Sequence, residues 1–217
     1  MYWEILDQDR IKLLKEIVSI VDIGEYYMAG GTALSLQLGL RKSVDFDFFV
    51  PHQFNSDQLY LQLKQICPND ISSVNIDGKG TFDVIMKNVQ VSFFEYPYKT
   101  LYEYNFDQEI PKLALASIGD IAAMKALAIG GRGSKKDFFD LYEIIRQTNY
   151  TIDQLVIDLY NKYGHNRDLS YIAMGLNYFE EADVEILPET FVKYDWNQIK
   201  EEFTHFQQIF FDKMRQH

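Results

Sequence analysis

YYMAGGTALSLQLGLRKSVDFDFFV, residues 26–50, joins two apolar segments through a pair of glycines and a helical stretch. The run 26–29 predicts a short strand that ends at the glycines. Residues 32–40 predict a helix, and residues 45–50 predict a second strand, which Pro51 ends. The order strand, Gly-Gly, helix, strand is the basis of the fold prediction.

The second strand carries two aspartates on one face. Residues two apart in a strand point to the same side, so Asp45 and Asp47 present their carboxylates together. Phe46 and Phe48 then point to the opposite side, into a core. Two neighbouring carboxylates repel each other unless a cation neutralises them. Mg²⁺ is the natural cation, because it takes hard oxygen ligands and keeps positions for phosphates.

The glycine pair predicts a binding site for an anion. A strand followed by Gly30-Gly31 and a helix directs backbone N–H groups and a helix N-terminus toward one point. Thr32 adds a hydroxyl, and Arg41 or Ser43 adds a side-chain contact. Alone, an Asp-x-Asp is usually a solvated strand face or a turn, and Gly-Gly is ordinary turn chemistry. Their combination in one short segment favours a site for a nucleoside triphosphate (NTP) and a metal ion.

The rest of the chain predicts an α+β fold with two domains. Further segments with a helical or strand pattern are helices at 8–22, 56–67, 117–129 and 135–147, helices beginning near 151 and 195, and strands at 71–76, 81–87 and 89–96. The three later strands form an antiparallel meander beside the Asp45 strand. We therefore predict an α/β domain at 1–110 and a helical domain at 111–217.

Composition restricts the environment and the partners. The 217 residues are 47% hydrophobic with one cysteine, Cys67, and no stretch reaches the length of a membrane span. We expect a cytoplasmic protein with no membrane partner. The net charge of -11 opposes nonspecific binding of nucleic acid. A local basic patch at Arg132, Lys135 and Lys136 is the candidate contact for a polyanion.

A second polar segment, residues 125–142, reads KALAIGGRGSKKDFFDLY. Asp137 and Asp140 are three residues apart in the first turns of a predicted helix, and therefore on one face. Acids in a first turn also suit the helix dipole, so ordinary capping explains them equally well.

Together, GGTAL at 30–34, the pattern R-x-S-x-D-x-D-F-F at 41–49 and K-D-x-x-D-L-Y at 136–142 resemble the AbiEii/AbiGii toxin family of nucleotidyltransferases. That family lies within the DNA polymerase beta-like superfamily. The resemblance implies a nucleotidyltransferase-like mixed sheet flanked by helices, followed by a C-terminal helical region. It implies that Gly30, Gly31 and Thr32 meet the nucleotide and that Asp45 and Asp47 bind the metal.

The same resemblance assigns roles in the second segment. Lys125 would neutralise nucleotide phosphate, and Lys136 would do likewise. Asp137 would orient the site or act as a base. Asp140 would anchor the helix, with Arg132 or another cation as its partner.

The sequence departs from the superfamily pattern at a third carboxylate. Active members usually carry one on a neighbouring strand, where it completes a two-metal site and acts as general base. Here residues 89–98 read VQVSFFEYPY, and Ser92 stands where the acid is expected. Asp83 and Glu95 are the candidates to replace it. If neither does, the site holds one metal, or Asp137 takes the role of the base.

These patterns predict transfer of a nucleoside monophosphate from an NTP to an RNA, protein or small-molecule acceptor. The resemblance adds a toxin of a toxin–antitoxin or abortive-infection system, with tRNA as one acceptor and a cognate antitoxin as partner. A catalytically weak binding module is the first alternative, because of Ser92. An antibiotic nucleotidyltransferase for aminoglycosides is the second, because the acidic chain suits a cationic substrate.

Overall fold

The computed structural model describes residues 1–21, 25–77 and 80–216, and the chain divides into two units. The first unit comprises Met1–Lys99 and Glu103–Ala116, and the second comprises Thr100–Tyr102 and Ser117–His217. The chain therefore passes through the second unit briefly before it returns to the first. The division into domains at 1–110 and 111–217 stays a prediction.

The first unit contains a mixed sheet with helices. Its elements, in chain order, are α1 (Gln8–Ile20), β1 (Tyr27–Ala29), α2 (Gly30–Leu38), β2 (Phe46–Val50), α3 (Ser56–Ile66), β3 (Ile71–Asp77), β4 (Thr81–Met86) and β5 (Val89–Glu95). The strands form a five-stranded sheet in the order β1-β2-β5-β4-β3. Strand β2 runs antiparallel to β1 and parallel to β5, while β3, β4 and β5 form an antiparallel meander. The predicted α+β class and the mixed sheet are confirmed.

The two faces of β2 differ as the alternation predicted. Phe46 and Phe48 are buried at 0% and 1% exposure, whereas Asp47 and Phe49 are partly exposed. The Phe48 ring stacks on Phe93 of β5 with centroids 5.1 Å apart. The apolar side of β2 therefore belongs to the core and leaves Asp47 on the other side.

Several predicted helix boundaries differ from the structure by one or two residues. Helix α2 begins at Gly30 rather than Thr32, because the glycine itself adopts the backbone turn that starts the helix. The sequence also favours Ser56 as the N-cap of α3, but Ser56 is the first helical residue and Asn55 is the cap, since the Asn55 side chain accepts the Gln58 N–H at 3.0 Å. The helix predicted to end near 129 continues to Gly131, because isolated glycines are tolerated in a helix at a modest cost.

The second unit is helical. Its elements are α4 (Ile118–Gly131), α5 (Lys135–Gln147), α6 (Ile152–Tyr163), α7 (Ser170–Gly175), α8 (Glu180–Val184) and α9 (Trp196–Met214). Ser117, Thr151 and Asp195 each accept a backbone N–H at the start of a helix, and these three helices begin where the sequence predicts. Helix α4 packs against α5, α6 and α7, and α6 packs against α9. None of the described helices is long and apolar enough to cross a membrane.

Candidate functional site

The turn between β1 and α2 places a half-buried glycine pair at the start of a helix. The residue before the helix, Ala29, makes no side-chain hydrogen bond to the helix start. The first N–H groups of an α-helix have no partner within the helix, so they are available to an anion. Gly30 opens α2 with φ +76°, a conformation that L side chains rarely adopt. The backbone thus makes the glycine turn that the sequence predicts, and the anion site at this turn stays a prediction.

Asp47 lies directly against this turn. Asp47 pairs with Ala29 across β1 and β2, and a Cβ added at Gly30 would stand 2.5 Å from its Oδ2. No side chain fits there, so Gly30 is required both by its φ and by the proximity of the carboxylate. The structure therefore places one predicted metal ligand beside the predicted phosphate turn.

Arg41, Ser43 and Thr32 gather at the next glycine. A Cβ added at Gly31 would lie 2.5 Å from Arg41 Nη2 and 2.9 Å from Ser43 Oγ. The Thr32 hydroxyl donates to the Asp45 carbonyl oxygen at 2.6 Å and lies 3.0 Å from Ser43 Oγ. These bonds fix the start of α2 to the segment that leads into β2. The candidate nucleotide-binding residues of the first unit are thus neighbours.

The residues present fit Mg²⁺. Asp45 is exposed and stands just before β2, while Asp47 is partly exposed inside it. Within the described ranges, no three His, Cys, Asp or Glu side chains are grouped to hold a metal ion. Mg²⁺ is commonly bound by one or two carboxylates together with water and substrate phosphates. Two carboxylates beside an anion site meet that requirement, with the substrate supplying the remaining oxygens.

A polar row crosses the sheet from Asp47. Ser92 of β5 pairs with Asp47 on one side and with Asp83 of β4 on the other. Residues directly opposite in adjacent strands share a face, so Asp83 lies on the Asp47 face. Two strand spacings separate the two aspartate backbones, about 10 Å. Asp83 therefore lies two strands from Asp47, and Ser92 lies between them. Ser92 is buried at 1% exposure.

Glu95, the other candidate, lies on the opposite face. It pairs with Val50, whose side chain is buried on the core side of β2. Its carboxylate accepts the Phe54 N–H at 3.2 Å. The structure brings Asp83 onto the Asp47 face and does not bring Glu95 there.

In the helical unit, Lys125 joins two aspartates of α5 in a buried cluster. Its Nζ lies 2.9 Å from Asp137 Oδ1 and 2.6 Å from Asp140 Oδ2. The three side chains are 9%, 2% and 1% exposed. Asp137 and Asp140 therefore share one helix face, as their spacing predicted, and Lys125 is the cation that Asp140 contacts. This cluster joins α4 to α5.

Asp137 is held in its ionised form. Burial opposes ionisation, but the Lys125 charge, hydrogen bonds from Ser134 and Lys125, and the Arg132 charge together lower its pKa below the usual value. Ser134 Oγ donates to Asp137 Oδ2 at 2.7 Å. Both carboxylate oxygens are thus engaged, which suits an orienting role better than a base. The roles that the resemblance gives to Lys125, Lys136 and Asp137 stay predictions.

The candidate basic patch is only partly available. Lys135 Nζ lies 2.5 Å from the Glu185 carbonyl oxygen and 5.0 Å from the centroid of the Trp196 ring. Arg132 is 67% exposed at its side chain and lies 3.5 Å from Asp137, while Lys136 is exposed. Tertiary contacts therefore remove Lys135 from the patch and leave Arg132 and Lys136 at the surface.

One buried ion pair was not predicted from the sequence. Lys162 Nζ lies 2.6 Å from Asp120 Oδ1, with side chains 0% and 1% exposed. Asp120 also accepts the backbone N–H groups of Leu101 and Tyr102 and the Ser117 hydroxyl. In the sequence, Ser117 with Asp120 three residues later forms a capping box, which explains a helix start but gives no hint of Lys162. This pair fixes residues 100–102 to the helical unit.

Comparison with known proteins gives the family. The family model described as nucleotidyl transferase AbiEii toxin, type IV toxin–antitoxin system, matches residues 12–215. The chain belongs to the AbiEii family. An uncharacterized protein of Aquifex aeolicus is 34% identical over 202 residues, which cover 91% of this chain and 94% of that protein. Nucleotidyl transfer is therefore the reaction class that the family supports.

A solved structure shares the fold of this AbiEii-family chain. The crystal structure described as that of a "putative nucleotidyltransferase from H. pylori" superposes with a TM-score of 0.59 at 18% identity. The match covers 97% of this chain and 98% of that chain. At this identity the likeness concerns the fold, and it agrees with the mixed sheet and helices described above.

Proposed function

We propose that this protein transfers a nucleoside monophosphate from an NTP to an acceptor hydroxyl, with Mg²⁺ bound by Asp45 and Asp47. The observation that carries the proposal is the contact of Asp47 with Gly30 at the uncapped start of α2. An anion and a cation site lie side by side there, as a metal–triphosphate requires. Gly30, Gly31 and Thr32 meet the phosphates, and Arg41 and Ser43 support the turn.

The chemistry is an in-line displacement at the α-phosphorus. The acceptor oxygen forms a bond to the α-phosphorus, and the bond from that phosphorus to the bridging oxygen of pyrophosphate breaks. Pyrophosphate leaves with the electron pair of the broken bond and the negative charge that it carries. When bound by Asp45 and Asp47, Mg²⁺ would neutralise the negative charge on the phosphate oxygens. The helix start supplies fixed N–H dipoles, which need no reorganisation during the reaction. Asp83, on the Asp47 face, is our candidate to accept the proton of the attacking hydroxyl.

For the acceptor and the cellular role, we propose RNA, with tRNA ends as one case, and action as the toxin of a toxin–antitoxin pair. The support is the description of the family as toxins of type IV systems. A net charge of -11 opposes extended binding of RNA. We therefore expect contact with a short segment of the acceptor, and a cognate antitoxin that counters the toxin in the cell.

The test is a transfer assay with each of the four α-³²P-labelled NTPs, Mg²⁺ and total RNA. The Asp45→Asn/Asp47→Asn variant removes both charges while it preserves the shape of the side chains. The matched control is Asp57→Asn/Asp70→Asn, which neutralises two exposed aspartates of the same unit. We expect label on RNA with the wild-type chain and the control, and none with the Asp45/Asp47 variant.

Other results decide between the alternatives. If label appears on the protein or on an added aminoglycoside but not on RNA, the proposed acceptor is wrong and the proposed nucleotidyl transfer stands. Label that persists in the Asp45/Asp47 variant would refute the assigned metal ligands. No transfer from a folded protein to any of these acceptors would favour the binding module, for which the observation is Ser92 between Asp47 and Asp83.

A further inference from the structure

A ladder of aromatic rings crosses the first unit beside the candidate site. Tyr104 stacks on Tyr27 with centroids 5.3 Å apart, Tyr27 on Phe49 at 5.8 Å, and Phe49 on Phe94 at 5.1 Å. The interplanar angles lie between 23° and 29°. Tyr96 adds an edge-on contact to Phe49 at 5.4 Å. These five rings are here called the aromatic ladder.

The aromatic ladder lies on the face of the sheet that carries Asp47. Phe49 is two residues beyond Asp47 in β2, so both point to the same side. Phe49 pairs with Tyr27 of β1 and with Phe94 of β5. The ladder is thus the next row of side chains after the row of Asp47 and Ser92. A separation of two residues along a strand is about 7 Å.

Phe94 and Phe49 differ from the phenylalanines of the core. Phe48 and Phe93, on the opposite face, are 1% and 0% exposed. Phe49 and Phe94 are partly exposed although they sit in the central strands β2 and β5. Within the ladder Tyr27 is buried at 2% exposure, so the planar apolar surface that a nucleobase can reach is offered by the partly exposed rings, Phe49 and Phe94 among them.

We propose that the aromatic ladder is the platform for the base of the bound NTP, with Phe94 as its main contact. This inference rests on the proposed function, because the phosphates must lie at Gly30 and Gly31 for the base to reach Phe94. The spacing of about 7 Å between the rows suits a single nucleotide whose phosphates meet Asp47. Within one NTP the distance between base and phosphates is limited by the ribose, whereas the bases of the acceptor have no fixed distance from Asp47. We therefore assign the platform to the NTP.

Stacking also sets the specificity. Every base has a π-face, so stacking on the rings of Phe49 and Phe94 accepts all four bases and favours those with the larger rings. The ring faces themselves carry no polar group. We therefore expect purine nucleotides to bind more tightly than pyrimidine nucleotides at this surface.

The experiment measures binding by calorimetry in Mg²⁺ with two kinds of probe. ATP, GTP, CTP and UTP carry a base, and inorganic tripolyphosphate carries the phosphates alone. The variants are Phe94→Leu, which keeps an apolar side chain without a ring, and Phe94→Tyr, which keeps the ring. Phe106→Leu is the matched control, since Phe106 is 60% exposed in the same unit and outside the ladder. Thermal unfolding checks that each variant is folded.

We expect Phe94→Leu to weaken ATP binding about tenfold, the lower part of the range for one base on one ring. Its affinity for tripolyphosphate stays as in the wild type, which also shows that the phosphate turn is intact. Phe94→Tyr and Phe106→Leu stay within about twofold for both probes, because stacking on the ladder is kept.

Several outcomes overturn the assignment. If the wild-type chain binds ATP and tripolyphosphate equally, or if Phe94→Leu weakens both alike, the base does not lie on the ladder while the phosphate site stands. If Phe94→Leu keeps its ATP affinity but raises the KM for the RNA acceptor, the platform serves the acceptor instead. If the wild-type chain binds neither probe, the proposed function fails and the platform fails with it.

Discussion

Two pairs of aspartates in this chain have similar spacing and different surroundings. Asp45 stands just before strand β2 and is exposed, while Asp47 lies within that strand, partly exposed and beside the start of a helix. Asp137 and Asp140 lie on one face of a helix, 1% and 0% exposed, and both contact Lys125. The second pair is buried around a lysine of the fold, whereas both members of the first pair keep some exposure to solvent.

The difference in exposure between the two pairs indicates which of them to expect at a metal site. A buried carboxylate must be neutralised within the protein, and removal of its partner leaves an uncompensated charge. An accessible carboxylate is hydrated and loses little when a neighbouring charge changes. Substitutions in the helical pair should therefore affect stability, and substitutions in the sheet pair should affect activity.

The largest effect is expected from Lys125→Met. It leaves Asp137 and Asp140 buried without their ammonium partner, which costs about 3–5 kcal/mol of unfolding free energy. The matched change Lys200→Met breaks a pair with Asp183 whose side chains are 29% and 45% exposed, and should cost less than about 1 kcal/mol. Urea unfolding followed by circular dichroism measures both. Equal losses of unfolding free energy in the two variants would contradict the claim that burial makes the Lys125 cluster more important for stability than an exposed ion pair.

The next effect is expected on catalysis from Asp47→Asn. Substituting partners of metal ligands in other proteins typically costs 10–100-fold, so loss of a direct ligand should lower transfer by at least about 100-fold. The unfolding midpoint should stay close to that of the wild type, because Asp47 is partly exposed. Asp140→Asn gives the converse test, with a lower unfolding free energy. An Asp47→Asn variant that unfolds readily would show that this carboxylate is structural as well.

Gly30→Ala should disturb both stability and phosphate binding. Alanine at φ +76° is strained, and its Cβ would stand 2.5 Å from Asp47 Oδ2, so we expect a loss of about 1–3 kcal/mol. Gly131→Ala is the control, since nothing lies within 4 Å of its added Cβ and it is helical. Unfolding free energy and tripolyphosphate affinity should both fall in Gly30→Ala alone. Unchanged affinity in that variant would argue against the turn as the phosphate site.

The smallest effect is expected from pH. The folded-state pKa of Asp137 is lowered, so its stabilising contribution is present above the unfolded-state value near 3.9 and is lost as pH falls below it. Unfolding free energies measured between about pH 3 and pH 6 should fall toward acid in the wild type. Asp137→Asn should show a shallower fall, and identical slopes would mean that this carboxylate does not carry the dependence.

Much of the candidate site followed from local patterns. Alternation in β2 placed Asp47 opposite Phe46 and Phe48, and the glycines marked the turn that the backbone makes. The spacing of Asp137 and Asp140 placed both on one helix face. Each of these depends on the periodicity of a single element, which sequence alone reveals.

Contacts between distant segments were harder to predict. The pairing of Asp47 with Ser92 and of Ser92 with Asp83 depends on the register of β5 between β2 and β4, which no local pattern gives. The same register separates Asp83 from Glu95, two candidates that the sequence left equal. Lys162 was not foreseen for a similar reason, since its partner Asp120 lies 42 residues away.

The sequence by itself therefore determined the order of elements, the glycine turn, the common face of Asp137 and Asp140 and the reaction class implied by the family motifs. These depend on backbone geometry and side-chain periodicity within a few residues. Only the tertiary structure decided that Lys125 neutralises the second pair, that Asp83 shares the face of Asp47, and that Phe94 lies in the next row. Burial and strand register bring those groups together, and both arise from packing between segments far apart in the chain.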